Sequence, residues 1–167
     1  MHIAGHGDAV KLADAVKKVI SLTKAPAPAQ PPSTPPALEM DTAAIDQILG
    51  HKGKVNGGVY QIGAPRAEQI TEAGMTVPGS MGLATALNFQ PTGAGKAAIT
   101  GDFVLLGSEV NPVLKALRQN GIQVTALHNH MLQEEPRLFF VHFWANDDAV
   151  KLAKGLRAAL DNTNSAK

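Results

Sequence analysis

Apolar residues along the chain follow two rhythms, one near every third or fourth position and one alternating, with Gly, Pro and polar clusters between them. Thr-Ala-Ala-Ile-Asp-Gln-Ile-Leu carries the first rhythm. With Asp41 ahead as N-cap and Gly50 behind as stop, it predicts a helix over 42–49. Ser108, Glu109 and Pro112 open a second helix whose Val113, Leu114 and Leu117 line one side until Asn120-Gly121. A third, capped by Asn146 or Asp147, runs to about residue 160. Strands are expected at 59–62, 83–89, 97–106, 122–132 and 138–144, with hairpin turns at 91–95 and 133–137. Residues 63–82 are rich in Gly and Pro and predict a long loop with a helical turn near 66–70. Helices interleaved with hairpins argue for an α+β fold, an antiparallel sheet built from hairpins with helices mainly on one face.

Ahead of this body stands Ala-Pro-Ala-Pro-Ala-Gln-Pro-Pro-Ser-Thr-Pro-Pro, whose prolines lack backbone donors and favour an extended linker. The segment N-terminal to this linker resembles the C-terminal end of the body. Shifted by 140 residues, Asp8 to Ala13 repeat Asp148 to Ala153 as DAVKLA, and Val16, Ile20 and Thr23 keep step with Leu156, Leu160 and Thr163. The expected organisation is therefore a helical remnant of an upstream repeat copy over 1–23, a Pro-rich linker over 24–37, the domain over 38–163 and a tail over 164–167.

Composition narrows the chemistry. Fifteen Lys and Arg against fourteen Asp and Glu leave a charge of +1, so no global field draws the chain to nucleic acid. The absence of Cys excludes disulfides, a thiol nucleophile and Cys-ligated zinc, and a metal would rest on His and carboxylates. No apolar run approaches the ~20 residues of a membrane span, and no signal peptide is recognisable. Gly-Ala-Gly-Lys at 93–96 lacks the spacing of a phosphate loop and reads as a turn.

The strongest chemical signal is three histidines in the last hairpin. His128 and His130 lie two apart on one expected strand and so share a face. If the 133–137 loop pairs Leu132 with Leu138, His128 opposes His142 and all three imidazoles converge; a one-residue slip turns His142 away. Three imidazoles with an open fourth position form the ligand set of a catalytic divalent-metal site, zinc favoured. The competing reading is of half-buried imidazoles bonded to backbone or carboxylates. For metal-assisted hydrolysis, Glu134 or Glu135 would shuttle the proton. The pattern of His-x-His with Glu134 four residues on also touches the cupin metal motif, but spacing and missing glycines disfavour that fold. Tyr60, Arg66 and Asp102, at strand ends and beside the long loop, are the expected ligand-binding residues for an unknown small molecule.

Three segments, VNGGVYQIGAPRAE from Val55, ALNFQPTGAGKAAITGDFVL from Ala86, and LHNHMLQEEPRLFFVHFWANDDAVKLAKGLRAALDNT from Leu127, together resemble the LppY/LpqO lipoprotein family, a family of unknown function. The resemblance covers about 38–163 and includes His128, His130, Glu134 and His142. It implies export or a cell-envelope location, and the two related domains found in longer members agree with the offset repeat. The expected function is a His-rich divalent-metal or small-ligand site; the alternative is a non-catalytic binding or interaction module of the cell envelope. Pairing with a second repeat copy or as a homo-oligomer is the expected association.

Overall fold

The computed structural model describes residue 3, residues 5–24 and residues 38–166, and the expected Pro-rich linker lies almost wholly outside these. The chain divides into two units, residues 1–33 and 34–167. In the first, helix α1 (Ala9–Ser21) is capped by Asp8, whose carboxylate accepts the Lys11 amide.

The second unit is the α+β body. Helix α2 (Thr42–Leu49) forms where its caps predict, with the Asp41 carboxylate accepting the Ala44 amide and Gly50 left-handed at φ 74°. Strands β1 (Lys54–Asn56), β2 (Val59–Pro65), β5 (Ala84–Gly93), β6 (Lys96–Leu106), β7 (Gln123–His128) and β9 (Leu138–Asp148) form a six-stranded antiparallel sheet in the order β1-β2-β5-β6-β9-β7. Helix α3 (Gly107–Gln119) follows β6, and α4 (Ala149–Leu160) follows β9. The α4 cap is Asp148, not Asn146 or Asp147, because β9 stays paired with β6 through Lys96 opposite Asp148. Asp148 accepts the Lys151 amide, the same capping bond that Asp8 makes in α1.

The three helices pack on one sheet face. Ile45 and Leu49 of α2, Val113 and Leu117 of α3, and Leu152, Leu156 and Leu160 of α4 join Phe89, Ile99, Phe103, Val141 and Phe143 in a single buried core. Burying side chains of this size supplies ~1.5–3 kcal/mol each before chain entropy is subtracted.

The expected 63–82 loop is more ordered than its composition suggests. Its first residues extend β2, no helix forms at 66–70, and β3 (Thr71–Glu72) and β4 (Met75–Thr76) pair as a small ribbon. Strand β8 (Glu134–Glu135), from the expected 133–137 turn, joins it as the third strand, with Thr71 opposite Glu135 and Glu72 opposite Glu134. This second layer covers part of the sheet face away from the helices, where Ile70, Leu83, Val104, Leu138 and Phe140 form a smaller buried cluster.

A candidate metal centre at the margin of the second layer

The histidines meet where the second layer stops. Register on β6, β7 and β9 determines which residues share the face away from the helices: His142 stands opposite Asp102 on one side and Ala126 on the other, while Phe140 stands opposite Val104 and His128. Two details differ from the expected hairpin. Strand β7 ends at His128, leaving His130 in the loop, and the pairing of His128 with His142 gives way to His128 with Phe140. That offset is two residues, so the face is preserved. A bulge between Val124 and Ala126 accompanies the shift; such bulges bend the strand and re-aim its side chains.

The result is a compact imidazole cluster. One ligand-capable atom from each of His128, His130 and His142 lies within 4.8 Å of the others. His130 stacks on Phe140 at a centroid separation of 3.5 Å and an angle of 10°, so a buried ring of the second cluster serves as its floor. His128 and His142 are stacked at 4.9 Å, and their Nε2 atoms are 2.8 Å apart. His142 Nδ1 lies 3.2 Å from the Gly101 carbonyl oxygen and His128 Nδ1 lies 3.3 Å from that of Asn129. The Asn129 side chain in turn donates to the Leu138 carbonyl, tying the start of the loop to β9.

These contacts constrain the tautomers. A carbonyl oxygen only accepts, so each Nδ1 must carry a proton to bond it. In two neutral rings the Nε2 atoms then present lone pairs to each other across 2.8 Å. A metal ion between them suits that tautomer pair, and an Nε2–H of one ring donating to the Nε2 of the other suits the alternative tautomer. Tetrahedral zinc with Zn–N bonds of ~2.0–2.1 Å separates its ligands by roughly 3.4 Å, so the rings would part by about half an ångström. Carbonyl-bonded Nδ1–H groups are the usual way in which ligating histidines are oriented.

Gly101 is a positioning residue that the sequence pattern does not reveal. A Cβ there would fall 1.8 Å from the Ala86 carbonyl oxygen, so this close approach of β5 and β6 admits glycine alone. No periodicity or motif marks a strand glycine whose carbonyl will meet an imidazole 41 residues later.

The other expected site residues fall in different places. Asp102 is brought beside the cluster by its register with His142. Glu134 is buried, and its oxygens accept from the Leu138 amide at 3.1 Å and the Arg137 guanidinium at 3.0 Å, which closes its own loop. Glu135 is exposed on β8. Tyr60 is on the opposite, helix-covered face, where its hydroxyl donates to Asp46 Oδ1 at 2.6 Å and accepts from the Gly53 amide. Burial, with the Asp46 carboxylate adding to it, pushes this phenol up to about 12.

Arg66 is a buried hub, 8% exposed. Its guanidinium donates to both oxygens of Glu68, both of Glu109 and the Val104 carbonyl, at 2.7–2.9 Å. Burial opposes its charge, but the bonds it donates to Glu109 and Glu68 outweigh that cost and raise its pKa. Glu109 also accepts from the Leu106 and Asn164 amides, and the network ties the β2 end, the α3 start and the C-terminal segment together.

No curated protein and no solved structure matches the chain. Residues 43–162 match the family model described as Domain of Unknown Function (DUF1259), and with well over half of its length inside that match the chain belongs to this family.

Proposed function

We propose that the domain binds a divalent metal ion, zinc favoured, through His128, His130 and His142. The observation that carries this reading is the pair of carbonyl-anchored imidazoles whose Nε2 atoms face each other at 2.8 Å. Neutral imidazole suits zinc, copper, nickel and iron. Calorimetric titration of chelator-treated protein with these four ions tests it. One-to-one binding that is lost in His128→Ala and His142→Ala supports the reading, and absence of binding by all four ions overturns it.

When bound, such an ion would supply Lewis-acid activation, and metal-assisted hydrolysis is the reaction class that this supports. Asp102 stands nearest in register to assist a proton transfer. Binding without turnover is the second reading, favoured by the occupation of both Glu134 oxygens in loop bonds. Ester and amide hydrolysis by metal-loaded protein that disappears in His128→Ala separates the two.

Two further readings rest on sequence. The LppY/LpqO resemblance supports an exported, envelope-associated protein, which fractionation of cells producing the natural gene product would test. The DAVKLA repeat and the matching Asp8 and Asp148 caps support residues 1–23 as the last helix of an upstream copy, able to pair with another copy. Removing them then changes the mass seen in sedimentation; unchanged mass and stability count against it.

A further inference from the structure

The main sheet ends on β1 at one side and on β7 at the other, and the two edges are guarded differently. An uncovered edge presents a row of backbone N–H and C=O groups to any extended chain, so edge strands are commonly kept short or carry Lys, Pro or a charge. Strand β1 is three residues long and contains Lys54. Strand β7 has six residues, Gln-Val-Thr-Ala-Leu-His, with no charged residue and no proline. All of them except Val124 are exposed, and among the described residues neither a strand nor a loop backbone pairs with the outer side of β7. Leu127 gives a second sign. It stands opposite Val141 and so faces the helix-covered core, yet it is 48% exposed because the sheet stops at β7. This edge leads into the histidine centre. His128 is the last residue of β7, and its imidazole lies on the other face from Leu127, beside His142. A strand added to β7 would run about 4.8 Å away, and its residue opposite His128 would project onto the same face, with Cβ atoms ~4.5–5.5 Å apart.

We infer that β7 receives an extended polypeptide segment as a seventh strand of the sheet, with an apolar side chain covering Leu127 and the side chain opposite His128 reaching the open fourth position of the metal. Polypeptide is thereby the ligand class of the histidine centre. The backbone selects that class directly: a strand edge offers donors and acceptors at the spacing of another extended chain, and such strand addition draws its affinity from main-chain bonds and its specificity from alternate side chains. The contact at His128 rests on the metal reading, whereas the backbone ladder and the cover over Leu127 stand without it.

The experiment probes an array of random short peptides with the full-length protein, with and without zinc, and titrates the best binder by calorimetry. One-to-one binding is expected, with slowed deuterium exchange at residues 123–128. The same peptide N-methylated at every second amide keeps its side chains and loses the donors of one edge. Of the two possible phases of methylation, one should weaken binding by roughly ten-fold or more. Thr125 sits at the bulge without a partner on β9, a place where an edge strand tolerates proline, so Thr125→Pro should weaken binding while Thr125→Ala does not. Should Thr125→Pro disturb the fold, the methylated peptides still decide. An array without a binder, binding indifferent to both phases of methylation, exchange protection outside 123–128, or a dimer in sedimentation that Thr125→Pro dissolves, the mark of an edge covered by a second copy, would overturn the added strand. Its failure is distinct from that of the metal: zinc binding with no peptide bound removes the strand and leaves the metal, while peptide bound by protein that takes up no zinc removes the metal and the contact at His128 and leaves the ladder.

Discussion

Replacing Arg66 by Met should cost about 3 kcal/mol. The substitution retains most of the aliphatic stem but deletes five hydrogen bonds, two to Glu68, two to Glu109 and one to the Val104 carbonyl. Breaking a buried ion pair by removing one partner costs ~3–5 kcal/mol, chiefly because the other charge is left in a poor solvent. The lower end applies here. The Glu109 carboxylate keeps the Leu106 and Asn164 amides, and the Glu68 side chain, 23% exposed, can turn to water. For a body of this size the loss corresponds to a fall of roughly 10–15 °C in Tm. Its pH dependence has a definite sign. The Arg66 hydrogen bonds hold Glu68 at about 2, and Arg66 with the two amides outweighs burial to lower Glu109. Carboxyls depressed in the folded state contribute stability above their ordinary value of 4.5, and that contribution is lost as pH falls toward 2. The difference between the native protein and Arg66→Met should therefore narrow in acid. Urea denaturation monitored by circular dichroism at pH 7 and pH 3 measures both. A loss below about 1 kcal/mol at pH 7, or a gap that does not shrink at pH 3, would refute the reasoning.

Gly101→Ala should lower stability and weaken metal binding together, because the new Cβ meets the Ala86 carbonyl oxygen and displaces the carbonyl that orients His142; calorimetric titration beside a melting curve measures both, and unaltered affinity in the folded variant would remove Gly101 from the site. Tyr60→Phe loses the bonds to Asp46 and Gly53 at about 1–2 kcal/mol, seen in chemical denaturation, and leaves metal affinity unchanged since the two lie on opposite sheet faces. In the native protein, burial and Asp46 raise the phenol to about 12, so stability falls as pH rises from 10 through 12, and Tyr60→Phe should flatten that slope.

The parts of the fold that repeat a period or close with a cap were legible in the sequence. Helix α2 lies between Asp41 and Gly50 as those caps dictate, and the long strands β5, β6 and β9 carry the alternation that puts Phe89, Ile99 and Phe143 inward. His128 and His142 were legible as neighbours for the same reason, since strand parity survived a hairpin slip of two residues, whereas His130 joins them from the loop beyond β7. What was not legible depends on contacts distant in the chain. Strands β3, β4 and β8 are two residues each, too short to show alternation, and exist because Thr71 and Glu72 find Glu135 and Glu134 more than sixty residues away. Arg66 and Tyr60 read as display residues beside a loop, yet each closes a network with a partner whose proximity only the fold creates, Glu109 for the first and Asp46 for the second. Glu134 read as a proton carrier from its place near the histidines, and the fold aims its oxygens at Leu138 and Arg137.

The central claim is that three imidazoles share one metal ion, and metal analysis by mass spectrometry on protein purified without a polyhistidine tag tests it most directly. A shared ion predicts about one divalent metal per chain in the native protein and a loss of most of it in His128→Ala and His130→Ala, with the folded state retained by circular dichroism. Native protein that carries no metal and takes up no zinc, copper or iron when these are added would contradict it.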